Sequence, residues 1–109
     1  MIPVITNNNL KSTIALAGLQ EVTDPEIGLN IVDLGLIYQL DFDEAANKIY
    51  CLMTLTTQFC PMGDSIVNAV KENLKLHFTG YEPFVELTFS PPWDHRMISV
   101  AGQEYLNQT

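Results

Sequence analysis

Hydrophobic and polar residues along this chain follow two periods. Between residues 34 and 42, Leu34, Leu36, Tyr38, Leu40 and Phe42 alternate with Gly35, Ile37, Gln39 and Asp41, the two-residue period of a strand. The same period returns from Lys48 to Thr56, with Ile49, Cys51, Met53 and Leu55 on one face and Tyr50, Leu52, Thr54 and Thr56 on the other. The short connection Asp43–Asn47 between these segments makes them an antiparallel hairpin. A third strand is predicted over Phe84–Phe89, with Val85, Leu87 and Phe89 on one face.

Helical spacing appears elsewhere. Ala15, Gly18, Leu19 and Val22 share one face, with Ile14 beside them, which predicts a helix from about Leu10 to Val22. Asn7–Asn9 offers N-caps for it, and Pro25 ends it because the residue before a proline avoids the α region. A longer helix is predicted from Pro61 to about Phe78, with Ile66, Val67, Val70, Leu74 and Phe78 as its apolar stripe and Gly80 beyond its end. It returns the chain to a parallel third strand. Asp94 can cap a last short helix containing Met97, Ile98, Ala101 and Tyr105. The order α-β-β-α-β-α predicts a two-layer α+β fold, with a three-stranded mixed sheet packed against helices. Residues 1–9 read as a flexible N-terminal arm and residues 10–109 as one domain.

Composition narrows the partners. The 109 residues carry a net charge of −8 with five Lys and Arg in all, too few for the basic patch that nucleic acid or an anionic membrane surface requires. No apolar run approaches the roughly 20 residues of a membrane span, and the N-terminus lacks the basic start and apolar stretch of a signal peptide. Cytoplasm is the expected location. Cys51 and Cys60 are the two cysteines. Nine residues of largely extended chain carry them beyond bridging distance, and unpaired thiols suit a reducing compartment.

Candidate chemistry concentrates at the junction of the second strand and the long helix. Pro61 suits the first helical position, which places Cys60 at the N-cap, where free N–H groups and the helix dipole favour a thiolate. The Cys60 sulfur is expected to be partly accessible there. Thr56 and Thr57 precede it, with hydroxyls able to bond a ligand. Asp24 and Glu26 flank Pro25 and could bind metal or tune a thiol, although such loop acids are more often simply solvated. Their loop is expected to fold against the Thr57–Cys60 junction. Cys51 shares its face with Ile49, Met53 and Leu55 and reads as core. Asp33 reads as fixing the turn into the first strand, and Trp93 as a lid on the core. His77 lies about 25 Å along the helix from Cys60 and cannot serve it as a base, given a rise of about 1.5 Å per residue. His95 could do so if the C-terminal segment folds back. A cysteine-dependent enzyme with Cys60 as nucleophile and Asp24, Glu26 or His95 assisting is therefore one alternative, and a plain interaction module is another.

Several separate motifs stand together: Asp24-Pro25-Glu26-Ile27-Gly28, Asn30 to Tyr38, Met53-Thr54-Leu55-Thr56-Thr57, Cys60-Pro61 and Pro91-Pro92-Trp93. In that order and spacing the chain resembles the SufT/PaaD-like iron–sulfur cluster assembly proteins, a domain shared with eukaryotic cytosolic iron–sulfur targeting factors. The resemblance runs from about Ser12 to Leu106. It implies a non-enzymatic accessory role in cluster assembly or targeting, with assembly scaffolds or client apoproteins as partners. It also implies a polar cluster of Asp24, Glu26, Thr56, Thr57 and Cys60, with Ile27 at its apolar edge. Phe59 stands where the family usually has a small residue, and no cysteine follows Cys60, unlike in PaaD proper. A stable cluster usually takes four protein ligands. One placed thiol per chain is therefore expected to hold no tightly bound cofactor. It suits transient contact with iron or a cluster, a cluster bridged between two copies in a homodimer, or docking to another assembly protein.

Overall fold

Asn8 starts the first helix. Its backbone is extended and its side chain accepts from the Lys11 amide at 3.0 Å, satisfying one of the N–H groups a helix leaves unpaired. The computed structural model describes residues 4–57 and 63–107. Helix α1 spans Asn9–Leu19. It ends earlier than its periodicity predicts, because Glu21 and Val22 bond back to Gly18 and Leu19 in tight turns.

The sheet has four strands, not the predicted three. β1 (Ile5–Thr6), β2 (Ile37–Asp43), β3 (Lys48–Met53) and β4 (Glu82–Leu87) lie side by side in chain order. The additional strand comes from the segment read as an arm: Ile5 and Thr6 run parallel to Gln39 and Leu40, and Asn7 extends the link through side-chain bonds to both the N–H and the carbonyl of Phe42. β2 and β3 form the antiparallel hairpin, and β4 is parallel to β3. α2, described over Gly63–His77, joins β3 to β4. Both helices contact each other and the sheet, so they cover one face of it. The core lies between, built by Ala15 and Leu19, by Leu40, Ile49 and Met53, and by Ile66, Val70 and Leu74.

β2 begins later than its alternation predicts. Residues 30–36 form successive turns, with Leu34 N–H bonding Asn30, Gly35 bonding Val32 and Leu36 bonding Ile31. Gly35 has a left-handed φ of 80°, which costs a glycine little. A register irregularity between Ile37 and Gln39 then shifts the phase, so that Ile37 is buried with Leu40 and Phe42 while Tyr38 sits at the surface of the core. β3 ends at Met53 because Thr54 leaves the ladder to bond Leu36. The expected last helix is two elements: a 3-10 turn over His95–Met97, capped by Asp94, and α3 over Val100–Asn107. Ile98 is extended and breaks them apart. Among the described residues no helix is long and apolar enough to cross a membrane.

Candidate functional site

The C-terminal end of β3 is held from both sides. Thr54 is fully buried and its N–H bonds the Leu36 carbonyl at 2.9 Å. Leu55 is buried next, and a Cβ added at Gly63 would lie 2.9 Å from the Leu55 methyl Cδ1. The first described residue of α2 is thus packed on the strand exit, and the chain between residues 55 and 63 starts and finishes at one place. Cys60 belongs to that stretch and lies outside the described residues, as do its predicted N-cap position and the neighbouring Phe59. Thr56 is half-buried and Thr57 exposed.

Thr56 lines an open depression of about 560 Å³ together with Trp93, Asp94, His95 and Arg96. Trp93 does act as a lid: its indole N–H donates to the Leu34 carbonyl at 2.6 Å, tying this segment to the turn before β2. Because Thr56 and His95 line the same depression, the C-terminal segment folds back toward the strand exit, and the His95 ring lies 5.3 Å from that of Trp93. Asp94 accepts from the Arg96 N–H at 2.7 Å and from its guanidinium at 3.0 Å. That side-chain bond holds the Asp94 carboxyl below its usual range. Tyr38 ties β2 to the segment before Trp93, donating to the Pro91 carbonyl at 2.9 Å. Burial raises its phenol above the ordinary value, while the Thr54 hydroxyl opposes the shift.

Asp24 and Glu26 differ in environment. Asp24 is 1% exposed, although acids in such a loop are usually solvated. Its carboxylate accepts from the Glu26 N–H at 2.9 Å, its own N–H bonds Leu29, and its carbonyl accepts from Gly28 at 2.8 Å. A buried carboxylate costs too much to leave unpartnered, and this one closes its own loop as an Asx turn. Glu26 is exposed. Asp33 fixes more than the turn into β2. It accepts from Asn30 Nδ2 at 2.7 Å and from Ser99 Oγ at 2.8 Å, while Ser99 in turn accepts from the Gly102 N–H at the start of α3. Sequence spacing could not reveal this bond between residues 33 and 99, nor the one between Trp93 and Leu34, because each joins segments far apart in the chain.

Cys51 is 2% exposed, and burial pushes its thiol up to about 12. It is part of the core. His77 is engaged at the far end of α2, where its ring Nε2 lies 2.8 Å from Glu21. Among the described residues, no three His, Cys, Asp or Glu side chains are grouped so as to hold a metal ion.

Residues 14–82 match the family described as "Iron-sulfur cluster assembly protein". The chain is 38% identical over 84 residues to the Fe-S protein maturation auxiliary factor YitW of Bacillus subtilis, covering 77% of this chain and 81% of the relative. It is 40% identical over 80 residues to the Fe-S protein maturation auxiliary factor SufT of Staphylococcus aureus, covering 72% and 88%. The crystal structure of a domain of unknown function from Bacillus anthracis superimposes with a TM-score of 0.84 at 33% identity, over 94% of this chain and all of that one. The turn around Asp24, the hairpin and the long helix all fall within the matched span, and the chain belongs to the SufT-like family of iron–sulfur cluster assembly proteins.

Proposed function

We propose that this chain is a non-enzymatic accessory factor in the maturation of iron–sulfur proteins, and that it contacts iron or a cluster through the thiol of Cys60. The observation that carries the reading is the state of the other thiol. Cys51 is sealed in the core and held protonated, so in a family of assembly factors the sulfur chemistry falls to Cys60. A single thiol does not hold a resident cluster, which takes about four ligands. The cargo is therefore iron or a cluster in passage, bound jointly with an assembly scaffold, with a client apoprotein, or with Cys60 of a second copy. Thr56, Thr57 and Glu26 complete the proposed pocket, and Asp24, sealed in its own Asx turn, holds the loop that presents Glu26. Acids near a thiol raise the cost of its thiolate and favour a bound cation that neutralises both. The reading places the chain in the reducing cytoplasm, where an unpaired thiol persists.

The test is anaerobic reconstitution with ferrous iron and sulfide, followed by gel filtration and metal analysis. Wild type and Cys51→Ala should carry iron in substoichiometric, chelator-labile form, and Cys60→Ser should carry none. Equal loading of Cys60→Ser and wild type would overturn the assignment. Asp24→Asn and Glu26→Gln should weaken loading and alter the pH dependence of Cys60 alkylation; unchanged curves would remove their loop from the pocket.

A further inference from the structure

The sheet face turned away from α1 and α2 carries aromatic rings that no described element covers. Strand alternation points Ile49, Cys51 and Met53 into the core and leaves Tyr50 and Leu52 outward. Tyr50 pairs with Asp41 on β2 and with Phe84 on β4, while Leu52 pairs with Glu86. The Tyr50 and Phe84 rings stack 5.5 Å apart at 18° and stay 44% and 41% exposed. Beside them is a depression of about 240 Å³, lined in part by Leu52, Asp41 and Glu86. Gln39 donates to one Asp41 carboxylate oxygen at 2.6 Å and orients the group. The Lys48 ammonium already lies 5.6 Å from the Phe84 ring centre, so this ring face accepts a cation.

Exposed aromatic rings bordered by carboxylates, on a chain of net charge −8, match one side chain above others. A guanidinium stacks flat on a ring, is weakly hydrated, and donates in a fork to a carboxylate; an ammonium is a strongly hydrated point charge. We propose that this open sheet face is a docking surface for an arginine-bearing segment of a partner polypeptide. The guanidinium lies against Tyr50 and Phe84 and pairs with Asp41 or Glu86, and aliphatic neighbours of the arginine cover Leu52. The surface shares no residue with the depression at Thr56, and its use does not depend on Cys60.

The experiment titrates the isotope-labelled full chain, free of iron, with three synthetic peptides that alternate leucine with arginine, lysine or glutamate. The arginine peptide should shift the amide resonances of Asp41, Tyr50, Leu52, Phe84 and Glu86. The lysine peptide should bind at least about threefold more weakly, and the glutamate peptide should not bind. Phe84→Ser and Glu86→Lys should each weaken the arginine peptide by at least about fivefold. Glu104→Lys, the same charge change at an exposed position of α3, should leave its affinity within about twofold. Equal loss in Glu104→Lys would show general charge attraction and overturn the proposal, as would equal binding of the lysine peptide or shifts confined to other residues. A concentration-dependent dimer abolished by Phe84→Ser would assign the face to a second copy instead. Glu86→Lys changes an exposed side chain, so it reports even where Phe84→Ser fails to fold.

Discussion

Gly35 runs directly against the backbone of Met97. A Cβ at position 35 would collide with the Met97 carbonyl oxygen and lie 3.0 Å from its carbonyl carbon. The neighbouring backbone cannot swing aside as a side-chain tip can, and Gly35 also holds a left-handed φ. Gly35→Ala should therefore cost about 2 kcal/mol or more and lower Tm by roughly 10 °C. Gly28 has a φ of 82° with nothing within 4 Å of its Cβ position, so Gly28→Ala should lose only the backbone term, about 1 kcal/mol. Thermal denaturation of the two variants separates strain from collision, and equal losses would contradict the contact.

Asp33 joins the turn before β2 to the start of α3. Removing a charged acceptor of two side-chain hydrogen bonds costs about 1–3 kcal/mol when the donors are partly buried. Asp33→Ala should lose stability in that range and speed amide exchange through residues 99–103, while Asp33→Asn, which keeps one acceptor, should lose less. Exchange that rises evenly over the whole chain would show that the bond to Ser99 does not anchor this segment.

Cys51 should make the fold sensitive to alkali. Its thiol is pushed from the ordinary 9.0 up to about 12 in the folded state, so burial favours the protonated form. That contribution is intact below the unfolded value and is lost as pH rises toward the folded one, at up to about 1.4 kcal/mol per pH unit. Between pH 9 and 11 the wild type should lose Tm faster than Cys51→Ala. In a Cys60→Ser background, Cys51 should resist iodoacetamide at pH 8 until urea is added.

Glu21 and His77 link the ends of α1 and α2. The hydrogen bond from His77, then that from Asn73, holds the Glu21 carboxyl below its ordinary value. A lowered carboxyl stabilises the fold above its unfolded value and ceases to do so as pH falls through the folded one. The margin of wild type over Glu21→Gln should be full at pH 6 and shrink steadily in Tm measurements as pH falls below the ordinary 4.5. Gly18 makes room for the ring, since a Cβ there would sit 2.6 Å from His77 Cδ2. Gly18→Ala should displace the imidazole and remove the same margin.

How much of this was legible depends on distance along the chain. The asparagine cap, the pairing of the hairpin and the apolar stripe of the long helix are local patterns, and the structure shows each, although both hairpin strands are shorter than their alternation predicts. β1 has two residues, too few to display a period. The phase shift at Ile37 comes from turns that the alternation of Leu34 and Leu36 conceals, and the break at Ile98 falls inside what reads as one short helix. At the candidate site, the motif names Asp24 and Thr56 as candidates. It does not tell that Asp24 is sealed by its own loop or that Thr56 faces Trp93 and His95, since those neighbours arrive from elsewhere in the fold.

The chain-order sheet has a kinetic consequence. The β2–β3 hairpin closes through a short turn, whereas β1 with β2 and β3 with β4 each close a loop of about 34 residues. Equal loops carry nearly equal closure entropy, so the stabilisation that each pairing brings decides which flank forms first. β4 brings a six-residue ladder and the packing of α2, while β1 brings two residue pairs. The three-strand unit should therefore assemble first and persist longest, with β1 zipping on last and opening first, ahead of any global unfolding.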